Sequence, residues 1–120
     1  MKLANQTAIV TGAGRNIGED VAKLLASEGA FIAVVDLDKD RGEKVAADII
    51  AAGGKAKAFV CDVGKEADIE ATVKGVMEAF GHIDILVNNA AISDNKHMFD
   101  ITTEEWNRTL AITLTGPFLF

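Results

Sequence analysis

Thr11-Gly12-Ala13-Gly14-Arg15-Asn16-Ile17-Gly18 is the stretch that decides the fold. It follows a short apolar run, Thr7–Val10, and opens a segment in which Ile17, Val21, Leu24 and Leu25 recur at helical spacing. Glycines at a strand-to-helix turn let the chain bend tightly and let its backbone come close to a pyrophosphate. The helix N-terminus behind them offers free N–H groups and the positive end of a dipole to that anion. A strict Gly-x-Gly-x-x-Gly spacing would place the third glycine one residue before Gly18. Such glycines also serve a tight turn that holds nothing; the position between a strand and an amphipathic helix favours a nucleotide.

Outward from this turn, apolar runs alternate with helical periods. Strands are expected at Thr7–Val10, Phe31–Val35, Ala56–Cys61 and Ile83–Val87, nearly continuous in apolar character as parallel strands covered on both faces are. The first helix stops at Gly29. Val45, Ala46, Ile49 and Ile50 mark a second, with Asp40 and Glu43 at capping-box spacing and Gly53-Gly54 beyond it. Ile69, Val73, Val76, Met77 and Phe80 mark a third, closed by Gly81. A fourth begins at Thr102, with Glu105 completing a capping box and Trp106, Leu110 and Leu114 sharing a face. Right-handed crossovers turn β-α-β-α-β-α-β-α into an α/β, doubly wound (Rossmann-type) parallel sheet of order 3-2-1-4, with its second half incomplete. Residues 1–120 read as one dinucleotide-binding domain. The long connection Asn88–Ile101 breaks the rhythm, and long ordered loops are often functional.

Composition narrows the classes. The 120 residues carry a net charge of −6 and no basic cluster, which argues against nucleic acid and anionic membranes as partners. The N-terminus is neither a signal peptide nor a membrane span. The single cysteine, Cys61, reads as a small buried side chain and gives no sign of an oxidising compartment, leaving the cytoplasm as the expected address. His82 and His97 lack metal-site spacing, and His97 reads as a solvated loop residue. Trp106 reads as helix packing. The chain's last residues, Gly116-Pro117-Phe118-Leu119-Phe120, are apolar with no stop signal, as in a chain cut before its natural end or completed by a partner; Pro117 is expected to kink or end the helix.

Asp36 ends the second strand, where a carboxylate can accept hydrogen bonds from the ribose hydroxyls of adenosine and repel a 2′-phosphate. That points to NAD rather than NADP. Arg15 pulls the other way, since it could reach a 2′-phosphate if its loop folds toward the adenine end. Asp36 weighs more, because a carboxylate buried beside phosphate costs more than an arginine left in water.

Together these motifs resemble the short-chain dehydrogenase/reductase family. Thr11-Gly12-x-x-x-Asn16-Ile17-Gly18 is similar to its Thr-Gly-x-x-x-Gly-x-Gly turn, and Cys61-Asp62-Val63 to its strand-3 end, whose Asp and following residue contact adenine. Asn88-Asn89-Ala90-Ala91 resembles its Asn-Asn-Ala-Gly segment, while Glu104-Glu105-Trp106 and Leu114-Thr115-Gly116-Pro117-Phe118 resemble its fourth helix. The resemblance implies a cofactor set of Gly12, Arg15, Asn16, Ile17, Gly18, Asp36, Leu37, Asp62, Val63, Asn89, Ala90 and Ala91. It implies hydride transfer between nicotinamide and a small carbonyl or secondary alcohol. It also implies a homo-oligomer packed through the helix after strand 4. The segment Ile92-Ser93-Asp94-Asn95 leading to Trp106 looks closest to the β-ketoacyl-carrier-protein reductase and small-polyol or sugar dehydrogenase branches.

Departures from the family pattern matter for chemistry. Asn16 stands where the family has its second glycine, Ala91 where the strand-4 motif ends in glycine, and Thr113 where the catalytic tetrad has asparagine. Asparagine tolerates unusual backbone angles, so the turn is expected to survive. The family's catalytic serine and Tyr-x-x-x-Lys pair lie beyond the fourth helix, and the sequence has no tyrosine. Ser93, in the loop after strand 4, does not align with that serine. The chain by itself is therefore expected not to run the family reaction, and the competing expectation is a non-enzymatic nucleotide-binding or self-associating relative.

Overall fold

Thr7, Phe31 and Lys55 stand side by side at one end of a four-stranded parallel sheet. The computed structural model describes residues 1–93 and 95–120. Asp94, in the loop segment whose likeness pointed to particular branches, lies outside the described residues. The strands are β1 (Thr7–Thr11), β2 (Phe31–Asp36), β3 (Lys55–Val60) and β4 (Ile85–Val87), in the expected order β3-β2-β1-β4. Helices α1 (Asn16–Ser27), α2 (Lys39–Ala51) and α3 (Glu66–Phe80) make the crossovers. After β4 come a 3₁₀ turn (Met98–Asp100), α4 (Thr103–Leu110), a π-helical turn (Ala111–Thr115) and α5 (Gly116–Leu119).

The sheet's alternation divides the core into two layers. Ala8, Val10, Ile32 and Val34 face α1 and α2, meeting Ala22, Ala26, Val45 and Ile49. Ile9, Ala33 and Val35 point the other way, onto Ile69 and Val76 of α3 and Ile112 of the π turn. Each fully buried Val or Ile side chain stabilises the fold by about 1.5–3 kcal/mol relative to exposure. No helix among the described residues is long and apolar enough to cross a membrane.

Several boundaries and faces differ from expectation, each for a physical reason. β4 begins at Ile85 rather than Ile83 because the Asp84 carboxylate takes the Thr7 N–H at 2.8 Å, where a strand residue would offer its carbonyl. β3 lies one residue earlier than expected; as an edge strand it alternates from Lys55 to Ala58, with both lysines at the surface, and also leaves Val60, on the opposite face, exposed. Asp38, not Asp40, caps α2: its extended backbone lets the side chain accept the Arg41 N–H. α1 buries Gly18, Ala22 and Ala26, small residues that let it lie close to the sheet, and leaves Ile17 and Leu24 exposed. Thr102 caps α4 as expected, accepting the Glu105 N–H at 3.1 Å.

Trp106 is the largest correction. It is 59 % exposed, and Leu110, Leu114 and Phe118 continue the same exposed row. Helical spacing identifies residues that share a face but not the direction of that face; here Arg108 reaches the loop after β3, Thr109 lines a hollow with Ile92 and Ser93, and Ile112 beyond α4 enters the core. Pro117 neither ends the helix nor breaks it. It falls in the first turn of α5, where its missing N–H removes no helical bond, directly after the π turn closed by the Gly116 N–H on the Ala111 carbonyl. A side chain at Gly116 would strike the Val63 carbonyl, so this backbone seats directly on the loop after β3.

Candidate functional site

Parallel strands end on a common edge, and the crevice opens where the order reverses between β1 and β4. At that edge lies a cavity of about 560 Å³. Gly12, Arg15, Asn16 and Ile17 line it from the first turn, Asp36 and Leu37 from the end of β2, Asp62 and Val63 from the loop after β3, and Asn89, Ala90 and Ala91 from the loop after β4. These are all the expected cofactor residues except Gly18. Gly18 lies just behind, where a Cβ would collide with the Gly12 carbonyl.

The first turn is built by backbone demands. Gly12 has φ 63 and Asn16 φ 51, both left-handed, so asparagine occupies a position that glycine fills without strain. Ala91 has no such requirement and sits where alanine fits. Arg15 precedes α1 in extended conformation and gives the helix no side-chain cap, which leaves the first-turn N–H groups for another acceptor. The Thr11 hydroxyl ties the two sides of the crevice together. It accepts the Asn89 and Ala90 N–H groups, both at 3.0 Å, and donates to the Val87 carbonyl. Asn89 adds a bond from Nδ2 to the Gly12 carbonyl at 3.2 Å.

Of the three carboxylates that line the cavity, Asp36 and Asp62 sit in different settings. Asp36 accepts the Gly14 N–H on one oxygen (2.8 Å) and the Asp38 N–H on the other (2.9 Å). Asp62 accepts the Gly64 N–H and the Arg108 guanidinium, whose Nη1 lies 3.2 and 3.0 Å from its two oxygens. Burial opposes ionisation of Asp62, but the Gly64 N–H, the Arg108 hydrogen bond and the positive charges of Arg108 and Lys65 outweigh it and hold the carboxyl below its ordinary value. Burial pushes the Cys61 thiol up, against a hydrogen bond with Thr72, so the thiol on the cavity wall stays protonated.

Thr113, at the tetrad asparagine position, clamps the far loop: its hydroxyl accepts the Ile92 N–H (3.3 Å) and donates to the Ile92 carbonyl (3.2 Å). His97 is exposed, accepts the Phe99 N–H and stacks on the Phe99 ring. Ser93 lines a separate hollow beside α4 with Glu104 and Glu105. Sequence reasoning did not single out Gly14, Asp38, Arg41 and Arg108 as part of the site, although Asp38, Arg41 and Arg108 line the cavity. Gly14 carries a glycine signal in the turn; Arg108 lies 46 residues from Asp62 and has no local signature.

A parallel sheet with this order, a glycine-bearing turn at its reversal and an acidic residue ending β2 define a dinucleotide-binding fold. Comparison with known proteins takes this further. The profile of short chain dehydrogenases matches residues 6–120, and the chain belongs to that family. It is 47% identical over 117 residues to galactitol 2-dehydrogenase of Agrobacterium fabrum, covering 98% of this chain and 44% of that protein. It is 39% identical to D-threitol dehydrogenase of Mycolicibacterium smegmatis, covering 98% of this chain and 45% of that protein. The chain thus spans about half the length of the curated relatives it matches. Among solved structures it resembles a metagenomic short-chain oxidoreductase in complex with NADP (TM-score 0.94, 36% identity, 99% of this chain and 54% of that one). It also resembles hydroxysteroid dehydrogenase from Escherichia coli (TM-score 0.94, 33% identity, 98% of this chain and 50% of that one).

The family implies a nicotinamide dinucleotide, and the residues present fit one. The uncapped start of α1 offers N–H donors to a pyrophosphate, and the buried Gly18 leaves no side chain between that helix and the turn.

Proposed function

We propose that residues 1–120 form the NAD(H)-binding portion of a short-chain oxidoreductase that transfers hydride between nicotinamide and a small carbonyl or secondary alcohol. One observation carries this reading: the residues of every expected cofactor motif, far apart in sequence, converge on one cavity at the carboxyl edge of the sheet. In this reading the turn from Gly12 to Gly18 and the first N–H groups of α1 bind the pyrophosphate. Asp36 accepts from the adenosine ribose, with Leu37 beside it; Asp62 and Val63 meet adenine; Asn89, Ala90 and Ala91 close the β4 side. The chemistry that the cofactor supplies when bound is hydride transfer, and the chain's own residues bind it, orient it and shield it from water. The polyol dehydrogenases among the relatives support a polyol or its keto form as the substrate class.

The preference for NAD over NADP rests on Asp36. Its carboxylate is held toward the cavity by two backbone donors, where a 2′-phosphate would meet like charge. Arg15 and Arg41 line the same cavity and supply the opposing attraction. Calorimetric titration of the folded chain with each dinucleotide tests both parts. Saturable binding with NAD tighter than NADP is expected, and Asp36→Ala should weaken NAD and narrow or reverse the ratio. No saturable binding by a folded sample would overturn the cofactor reading, while NADP binding tighter than NAD would overturn the preference alone.

A second reading, a self-associating protein of the same descent, draws on the exposed row Trp106, Leu110, Leu114 and Phe118. Contiguous exposed apolar side chains, unlike scattered ones, mark association surfaces. The row favours a homo-oligomer in either reading, set in the cytoplasm, where Cys61 stays reduced.

A further inference from the structure

Asp62 is fixed by residues on two separate elements. Its own loop supplies the Gly64 N–H at 2.9 Å, and α4 supplies Arg108, whose Nη1 bridges both carboxylate oxygens. The carboxylate side chain is 10% exposed, whereas Arg108 is 43% exposed, so the arginine reaches in from the surface to meet a buried acid. A carboxylate has about four acceptor sites. Gly64 and Arg108 both use Oδ1, and Arg108 alone uses Oδ2, so Oδ2 keeps capacity for a further donor in the cavity that Asp62 lines.

Gly64 keeps this approach open. A Cβ there would lie 2.9 Å from Arg108 Nη1 and 3.1 Å from Asp62 Oδ1, within the space the pair occupies. The backbone contact of Gly116 with Val63 anchors the same loop a second time, again from the helical segment after β4. The wall of the cavity at Asp62 is therefore held by α4 and its continuation as much as by the sheet.

We propose that Arg108 is a positioning residue for the adenine end of the cofactor site, fixing the Asp62 carboxylate so that the remaining lone pair of Oδ2 accepts the exocyclic amino group of adenine. The inference rests on the nicotinamide-dinucleotide reading above. Arg108 touches neither sugar nor phosphate in this role; it acts through Asp62. An ionised, fixed carboxylate selects a donor at the purine 6-position over an acceptor, so removing Arg108 costs base discrimination more than general binding.

The test compares NAD with its hypoxanthine analogue, in which the 6-amino donor is replaced by an oxo acceptor, by calorimetry on the full chain. The unaltered protein is expected to prefer NAD by about tenfold, the scale of one charge-assisted hydrogen bond. Arg108→Met should weaken NAD by about tenfold while changing the analogue by less than about threefold. Arg108→Lys, which keeps the charge but not the planar guanidinium, should restore part of the preference. Gly64→Ala crowds the contact between the guanidinium and the carboxylate while leaving both residues in the chain, and should narrow the preference in the same way, so the proposal does not depend on one variant folding. Equal weakening of both ligands, or a preference unchanged in Arg108→Met and in Gly64→Ala, would overturn the positioning role. Failure of the unaltered folded protein to bind either dinucleotide would instead overturn the cofactor reading on which it rests.

Discussion

The backbone N–H of Gly14 lies 2.8 Å from Asp36 Oδ2, so the glycine turn after β1 and the acid that ends β2 form one hydrogen-bonded unit. Side chains at position 14 are excluded by the same closeness: a Cβ would stand 2.7 Å from the Asp36 carboxyl carbon and oxygen. The turn and the acid are two motifs in the sequence and one object in the fold.

Gly14→Ala should therefore push the Asp36 carboxylate out of place without removing it. Dinucleotide affinity is expected to fall about tenfold or more, with a stability loss of about 1–3 kcal/mol from overpacking. Calorimetry and denaturant unfolding read the two effects separately. Affinity within twofold of the parent in a folded variant would show that the unit tolerates displacement.

At Asn16 the left-handed backbone costs an ordinary L-residue about 1–2 kcal/mol. Asn16→Ala should lower stability by about 1 kcal/mol, and Asn16→Gly should leave it unchanged or raise it. Urea midpoints decide the matter; equal midpoints for the two variants would mean that the turn relaxes around alanine.

The pH dependence of stability follows from Asp62. Its folded-state value is depressed below the ordinary 3.8, so the folded protein binds this proton less readily than the unfolded chain. The stabilisation is present above the unfolded value and is lost as pH falls through the folded one. Asp62→Asn should be less stable than the parent at about pH 6, with the difference shrinking as the solution is acidified. A difference that stays constant down to acid unfolding would place the effect in packing rather than in charge.

Trp106→Glu introduces a charge into the exposed row of α4. If that row joins copies of the chain, sedimentation should show a shift to a smaller species in the variant while the far-ultraviolet spectrum is retained. Identical sedimentation of parent and variant would remove Trp106 from any self-contact.

The parts of the fold that were legible in the sequence are those whose cause is local. Gly12, Gly18 and Asp36 announce themselves because a turn, a close approach and a strand end each demand a residue type in place. The strand order followed from crossover handedness once alternating apolar runs were recognised. Arg108 was invisible, because nothing near position 108 refers to position 62. Trp106 misled for a related reason: periodicity groups a face but carries no sign for inside or outside. Asp38 and Asp40 were confused because both are acids at the same helix start, and only the extended backbone at Asp38 separates them.

The π turn at Ala111–Thr115 acts as a phase shifter between two stretches of helix. An α-helix advances about 100° per residue, so one surplus residue offsets everything after it by roughly that angle. Here the offset lets Thr113 meet Ile92 while Gly116 rests on Val63. A one-residue deletion at Ala111 is expected to turn Thr113 and Gly116 back by about 100° and so to displace both contacts. At the exposed Thr115, a substitution is therefore expected to be tolerated where a deletion, which moves Gly116 off Val63, is not.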